Sequence, residues 1–181
     1  MNPPLRTEVA VVMCHERIDN RWQPWRWSLA EVVPHEAAFG SAARLLLKNE
    51  HEERWLFPAL CVELFRDDAE GYHLNLASPA PCWFVLWRLD EEQAGALPLA
   101  RPVAVSLSYH EAGRWLDAQE TVEQVPADAA VLAWLQAFVD LHYQPEPRRR
   151  KRPDSFRPLQ DRFGNPASVS TDKPRGGGGH G

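Results

Sequence analysis

Seven histidines and three cysteines are the residues of this 181-residue chain best suited to hold a metal. Zinc sites draw paired ligands from spacings such as Cys-x-x-Cys or His-Glu-x-x-His, where a turn or a helix face brings two donors to one ion. Neither pattern occurs. Cys14 and His15 are adjacent, but neighbours on a strand face opposite ways, so one ion cannot use both. Nucleophilic catalysis is no better served. Ser28, Ser41, Ser78, Ser106 and Ser108 stand in no Gly-x-Ser-x-Gly context and have no recognisable base partner. Gly-x-Gly-x-x-Gly and the P-loop are both absent, and the GGGGHG run at the C-terminus follows no strand and opens no helix. The chain therefore reads as non-enzymatic, with no catalytic residue, no metal site and no cofactor.

Binding chemistry is better represented. Eight tryptophans are many for this length, and each can bury roughly 150–250 Å². Trp83, Trp87, Trp115 and Trp134 have the periodicity of core residues. Trp22 and Trp25 flank Gln23-Pro24 between Arg21 and Arg26, an aromatic pair bracketed by guanidinium groups, as in many interface hot spots. The alternative is a loop folded back over the mouth of a barrel. Tyr143, where the last helix ends, is a further candidate contact. Beyond it the unbroken run Arg148, Arg149, Arg150, Lys151 and Arg152 sits among Pro145, Pro147 and Pro153, which favour extended backbone. Three readings remain open for this run: a solvated tail, an arm docking on an acidic protein groove, or a nucleic-acid contact.

Charge weighs against the last of these. Residues 1–143 hold 11 Lys and Arg against 21 Asp and Glu, a net of −10, whereas residues 144–181 hold 9 against 4, a net of +5. The body would repel a polyanion, and no aromatic interrupts the basic run for base stacking. Nucleic acid is therefore unlikely as a partner. No apolar run approaches the ~20 residues of a membrane span, and the N-terminus lacks the features of a secretory signal. Three cysteines, each within an apolar run, suit reduced and buried thiols. A soluble, cytoplasmic protein is expected.

The elements that must position these residues follow from periodicity. EVAVVMC, residues 8–14, reads as a strand apolar on both faces and hence central. Trp25, Trp27 and Leu29 alternate with Arg26, Ser28 and Ala30 as in a half-buried strand. Residues 34–53 read as a loop with at most one helical turn. ALCVELF and GYHLNLA read as a hairpin around Asp67–Gly71. CWFVLWRL is a second strand buried on both faces, and Pro102 to Ser108 another. Ser108 to Glu111 has the form of a capping box before a helix carrying Ala112, Trp115 and Leu116. After a short strand TVEQV, Pro126 opens a longer helix with a stripe of Val131, Trp134, Leu135, Phe138, Leu141 and His142. The expected fold is α+β: a mainly antiparallel sheet, or a small barrel-like β domain, with two C-terminal helices. The compact domain spans 1–143, and 144–181 is a disordered basic tail.

Four ordered blocks, NRW near the start, EGYHLNLASPAP at 70–81, SLSYHEAGRWLDAQETVEQVP at 106–126 and FVDLHYQPEP with its basic run at 138–152, resemble the bacterial family of domain of unknown function 3305. The resemblance implies a setting beside molybdenum-dependent formate dehydrogenases and supplies no catalytic residue. A non-enzymatic accessory or adaptor of such an enzyme is expected, with the dehydrogenase or one of its maturation proteins as partner. Arg21, Trp22, Trp25, Tyr143 and the basic run would make the contacts. The competing readings are a module binding a molybdopterin-type cofactor or nucleotide, and a nucleic-acid binder acting through the tail.

Overall fold

Strands come in hairpins and helices fill the intervals over residues 2–90 and 98–147, which the computed structural model describes. β1 (Arg6–Arg17) turns back into β2 (Trp25–Pro34); after one 3-10 turn at Ala37–Phe39, β3 (Arg44–Lys48) pairs with β4 (Glu52–Glu63). Helix α1 (Ala69–Leu76) follows, then β5 (Cys82–Asp90), β6 (Leu99–Ser106), α2 (Tyr109–Asp117), β7 (Thr121–Pro126) and α3 (Ala129–His142). All pairing is antiparallel, in a four-stranded sheet ordered β2-β1-β4-β3 and a three-stranded sheet ordered β6-β5-β7. The fold is α+β, and the two sheets are open and not rolled into a barrel. The compact unit ends at Pro145. Among the described residues, no helix is long and apolar enough to cross a membrane.

β1 is central because both of its faces have something to bury against. Val9, Val11 and Met13 enter the main core with Phe57, Val62, Trp83 and Val85, while Ala10 and Val12 pack with Leu56 beneath Phe39 on the other face. β5 behaves likewise, with Trp83 and Val85 in the main core and Cys82 and Phe84 under Ala112 of α2. The sheets are joined by Glu123 of β7, whose carboxylate accepts from the Leu29 backbone N–H of β2 at 3.1 Å and from Trp87 Nε1 at 2.6 Å.

Helix α1 replaces the expected return strand of the 59–77 hairpin. Alternation selected Tyr72, Leu74 and Leu76, but the helical period selects Ala69, Tyr72 and Asn75, and Leu74 is left exposed. Asp67 and Asp68, which looked like turn formers, precede the helix and Glu70 lies in its first turn, where carboxylates favour the positive end of the dipole. Residues 34–53 are not one loop, because β3 and the start of β4 lie within them. Pro126 closes β7 and does not open α3, whose N-cap is Asp128, accepting from Val131 N–H at 2.8 Å. On α3 itself Val139 is buried and Leu141 is 54% exposed, so the stripe is rotated from the expected one.

Asn75 fixes α1 in place. Its Nδ2 donates to the carbonyls of Cys82 and Leu107, both at 2.8 Å, and its Oδ1 accepts from Cys82 N–H at 3.1 Å. One fully buried amide thus satisfies the start of β5 and the residue after β6. Gly71, one turn earlier, lies so close to Ser108 that a Cβ there would meet its Oγ at 2.3 Å. Ser108 caps α2 through Glu111 N–H as expected. Glu111, however, does not close the box on Ser108 N–H. Ser106 Oγ intervenes, accepting from Ser108 N–H and donating to the Glu111 carboxylate at 2.5 Å.

Asn75→Ala strands two carbonyls and one N–H in the interior and is expected to lower unfolding free energy by about 3 kcal/mol or more in urea titrations. Asn75→Asp should cost more still, since its carboxylate would face both carbonyls. If either variant loses less than about 1 kcal/mol, the amide is not the anchor of α1.

Candidate functional site

The β1–β2 connection is short and heavily hydrogen-bonded. Ile18 N–H donates to Pro24 O at 2.8 Å and Asn20 N–H to Ile18 O at 2.9 Å, closing the loop on itself. Asn20 Oδ1 then accepts from Trp22 N–H at 2.9 Å and Gln23 N–H at 3.4 Å, an Asx turn that fixes the backbone beneath the indole. Trp22 points away from all of this and is 91% exposed, the most exposed large apolar side chain described. Arg17, Asp19, Arg21 and His51 line a polar cleft of about 480 Å³ next to it. The base of the loop is tied to the β3–β4 turn, where Arg17 N–H donates to His51 O at 2.8 Å. A large indole on a rigid mount costs little ordering entropy when it meets a partner.

Beneath the loop, Trp25 and Trp27 project from one face of β2 and enclose His15 of β1. The ring centroids lie 5.1 and 4.5 Å from the imidazole, with interplanar angles of 27° and 22°. Spacing of two residues on β2 and the register His15↔Trp27 put the three rings in one stack. Trp27 Nε1 donates to Pro98 O at 3.1 Å. Burial holds the His15 pKa below the ordinary imidazole value, and Glu53 opposes this in part. Glu53 is held below the usual carboxylate range, first by its bond to Lys48, whose Nζ lies 2.7 Å away.

Of the residues expected to form a contact surface, Arg21 and Trp22 stand together at the loop. Trp25 is half-buried in the stack and supports the loop instead of presenting itself. Arg26 does not bracket the indoles: its guanidinium turns to Glu16, at 3.1 and 2.7 Å, on the opposite face of the sheet. Tyr143 stacks on His73 of α1 at 4.4 Å. Trp134 Nε1, earlier on α3, donates to Pro4 O at 2.7 Å and ties that helix to the segment before β1. Tyr143 thus belongs to the contact between α1 and the end of α3, and Trp22 to the β1–β2 loop. Arg148, Arg149, Arg150, Lys151 and Arg152, with the remainder of the expected tail beyond them, lie outside the described residues. His15, Arg17 and His51 were missed by sequence reasoning, because only strand register brings them to the loop.

The thiols offer little reactivity. Burial pushes Cys14 up to about 11, reinforced by Glu52, and raises Cys82 as well. Cys61, expected to be buried, is exposed, because it projects beside Glu8 beyond the patch that Phe39 covers. Among the described residues, no group of three or more His, Cys, Asp and Glu side chains is placed to hold a metal ion.

The family described as Protein of unknown function (DUF3305) matches residues 8–152. No curated protein matches the chain, and no solved structure does.

Two measurements check this geometry. A disulfide reagent should modify Cys61 rapidly, and Cys14 and Cys82 only after denaturant is added; fast reaction of all three would contradict the burial. Because His15 binds its proton less readily folded than unfolded, its contribution to stability is complete above the unfolded pKa of about 6.5 and is lost as pH falls from there through the lower folded pKa. The melting temperature of His15→Phe should therefore fall less than that of the intact protein between about pH 7.5 and pH 5.5, and parallel curves would contradict the assignment.

Proposed function

The chain belongs to this family, and from that premise we propose that it is a non-enzymatic docking protein, an accessory or adaptor whose rigid Trp22 loop inserts into a protein partner. The observation that carries the reading is an indole exposed by 91% on a backbone already fixed by Asn20, beside the cations Arg17 and Arg21. Exposing so large an apolar ring in water stabilises nothing in the isolated chain, whereas interface hot spots are enriched in Trp and Arg. Burial raises the thiol pKa values of Cys14 and Cys82 and disfavours a thiolate nucleophile at either position.

The partner we propose, on the strength of the four-block resemblance, is a molybdenum-dependent formate dehydrogenase or one of its maturation proteins, met in the cytoplasm. The basic run at 148–152 would add a second, salt-sensitive contact. Binding of a molybdopterin-type cofactor is the rival reading. The apolar cleft between Val9, Val32, Trp83 and Trp134, at about 190 Å³, is smaller than the roughly 300–1,000 Å³ of ordinary cofactor sites, whereas the polar cleft of about 480 Å³ lined by Arg17 and Arg21 falls within that range and is where such a ligand would be sought.

The test is affinity capture from cells making formate dehydrogenase, with intact protein and Trp22→Ala in parallel. The intact protein should enrich the dehydrogenase or a maturation protein. Trp22→Ala should lose most of that capture while its stability changes by less than about 0.5 kcal/mol, as for any exposed side chain. Equal capture by both proteins would remove the loop from the interface.

A further inference from the structure

A second surface adjoins the loop. Among the described residues β3 has a single neighbour, β4, so one edge of the four-stranded sheet ends on it. Its sequence is RLLLK, and every residue is exposed: Leu45, Leu46 and Leu47 by 42%, 48% and 41%. Three consecutive exposed leucines on a free edge are what soluble proteins ordinarily avoid. The pairing Leu45↔Trp55 and Leu47↔Arg54 leaves Leu46 as an extra residue in a bulge. A bulge limits how long a strand can be added, but leaves a short one possible.

From this edge we infer a binding site for an extended protein segment, added to β3 as a short fifth strand, whose apolar residues are flanked by carboxylates. The choice of occupant rests on charge. Arg44 and Lys48 mark the two ends of the strand. A second copy of this chain, paired antiparallel about Leu46, would set each Arg44 against the other copy's Lys48, a like-charge contact at both ends. A strand with Asp or Glu at its ends replaces both repulsions with attractions. Arg44 is available for this: its guanidinium lies 5.8 Å from the Phe39 ring centroid and has no carboxylate partner among the described residues. Lys48 bonds Glu53, yet its side chain remains 65% exposed. Position supports the same occupant. The turn that ends β3 carries His51, whose carbonyl holds Arg17 at the base of the Trp22 loop. A strand on β3 would run three strand spacings, about 14 Å, from β1, which leads into that loop. This inference stands on strand geometry and on the charges of Arg44 and Lys48, and it survives if the Trp22 reading fails.

A fluorescein-labelled peptide Asp-Thr-Val-Val-Val-Glu tests it, titrated up to about 1 mM into the full chain and compared with the same peptide carrying Lys at both ends. The acidic peptide should bind, and the backbone amides of residues 44–48 should shift and gain protection from hydrogen exchange. Binding should weaken at least tenfold in the double variant Leu46→Lys, Leu47→Lys, whose exposed positions leave the fold intact by circular dichroism. Trp22→Ala should bind this peptide normally, which separates the two surfaces. No binding, equal binding of both peptides, or a dimer of the intact chain that the double variant abolishes would each overturn the inference.

Discussion

A strand that is apolar on both faces has no solvent side to set its register, and the candidate site depends on the register of β1. In most half-buried strands a slip of one residue turns the apolar set toward water and is rejected for that reason. For Val9–Cys14 such a slip would exchange one buried apolar set for another. Register must therefore be fixed by its ends and its bulges. At the loop end His15 is held between Trp25 and Trp27, and Glu16 meets Arg26. At the other end Arg6 bonds Glu63 at 3.0 Å. Irregularities between Val12 and Met13 toward β2, and between Val9 and Val11 toward β4, admit only one alignment on each side. The loop of residues 18–24 is where it is because these contacts fix it.

The rest of the fold is joined by a few polar groups placed where backbone would otherwise be orphaned. Glu123 satisfies an edge N–H of β2 from the other sheet, and Asn75 satisfies backbone at β5 and just past β6 from a helix. Each such group is worth about 1–3 kcal/mol mainly through what its removal would strand. Tyr72 adds a third: its hydroxyl accepts from Phe65 N–H at 3.1 Å, and burial pushes its pKa up to about 12. Helix α1 therefore docks by specific bonds and by the close approach at Gly71, not by a broad apolar face. That is also why it was hard to see.

What sequence could show depended on the kind of force. Elements buried on two faces announce themselves as apolar runs, so β1 and β5 were legible, as were α2 from its Ser108 cap and α3 from its stripe. A helix of two turns has too few residues for its period to separate from alternation, so GYHLNLA passed as a strand. β3 was invisible because its leucines are not buried and nothing in RLLLK alternates. At the site, the exposed Trp22 beside Arg21 was readable from its turn-forming neighbours. The enclosure of His15 and the approach of His51 were not, since both come from cross-strand pairing between residues far apart in sequence.

In the proposed docking role, one side chain carries function while remaining almost irrelevant to folding. In a strain lacking this gene, an intact copy should restore formate-dependent activity. A Trp22→Ala copy, present at the same level and melting at the same temperature, should restore little of it. Full restoration by the Trp22→Ala copy would contradict the claim that this loop is the working part of the protein.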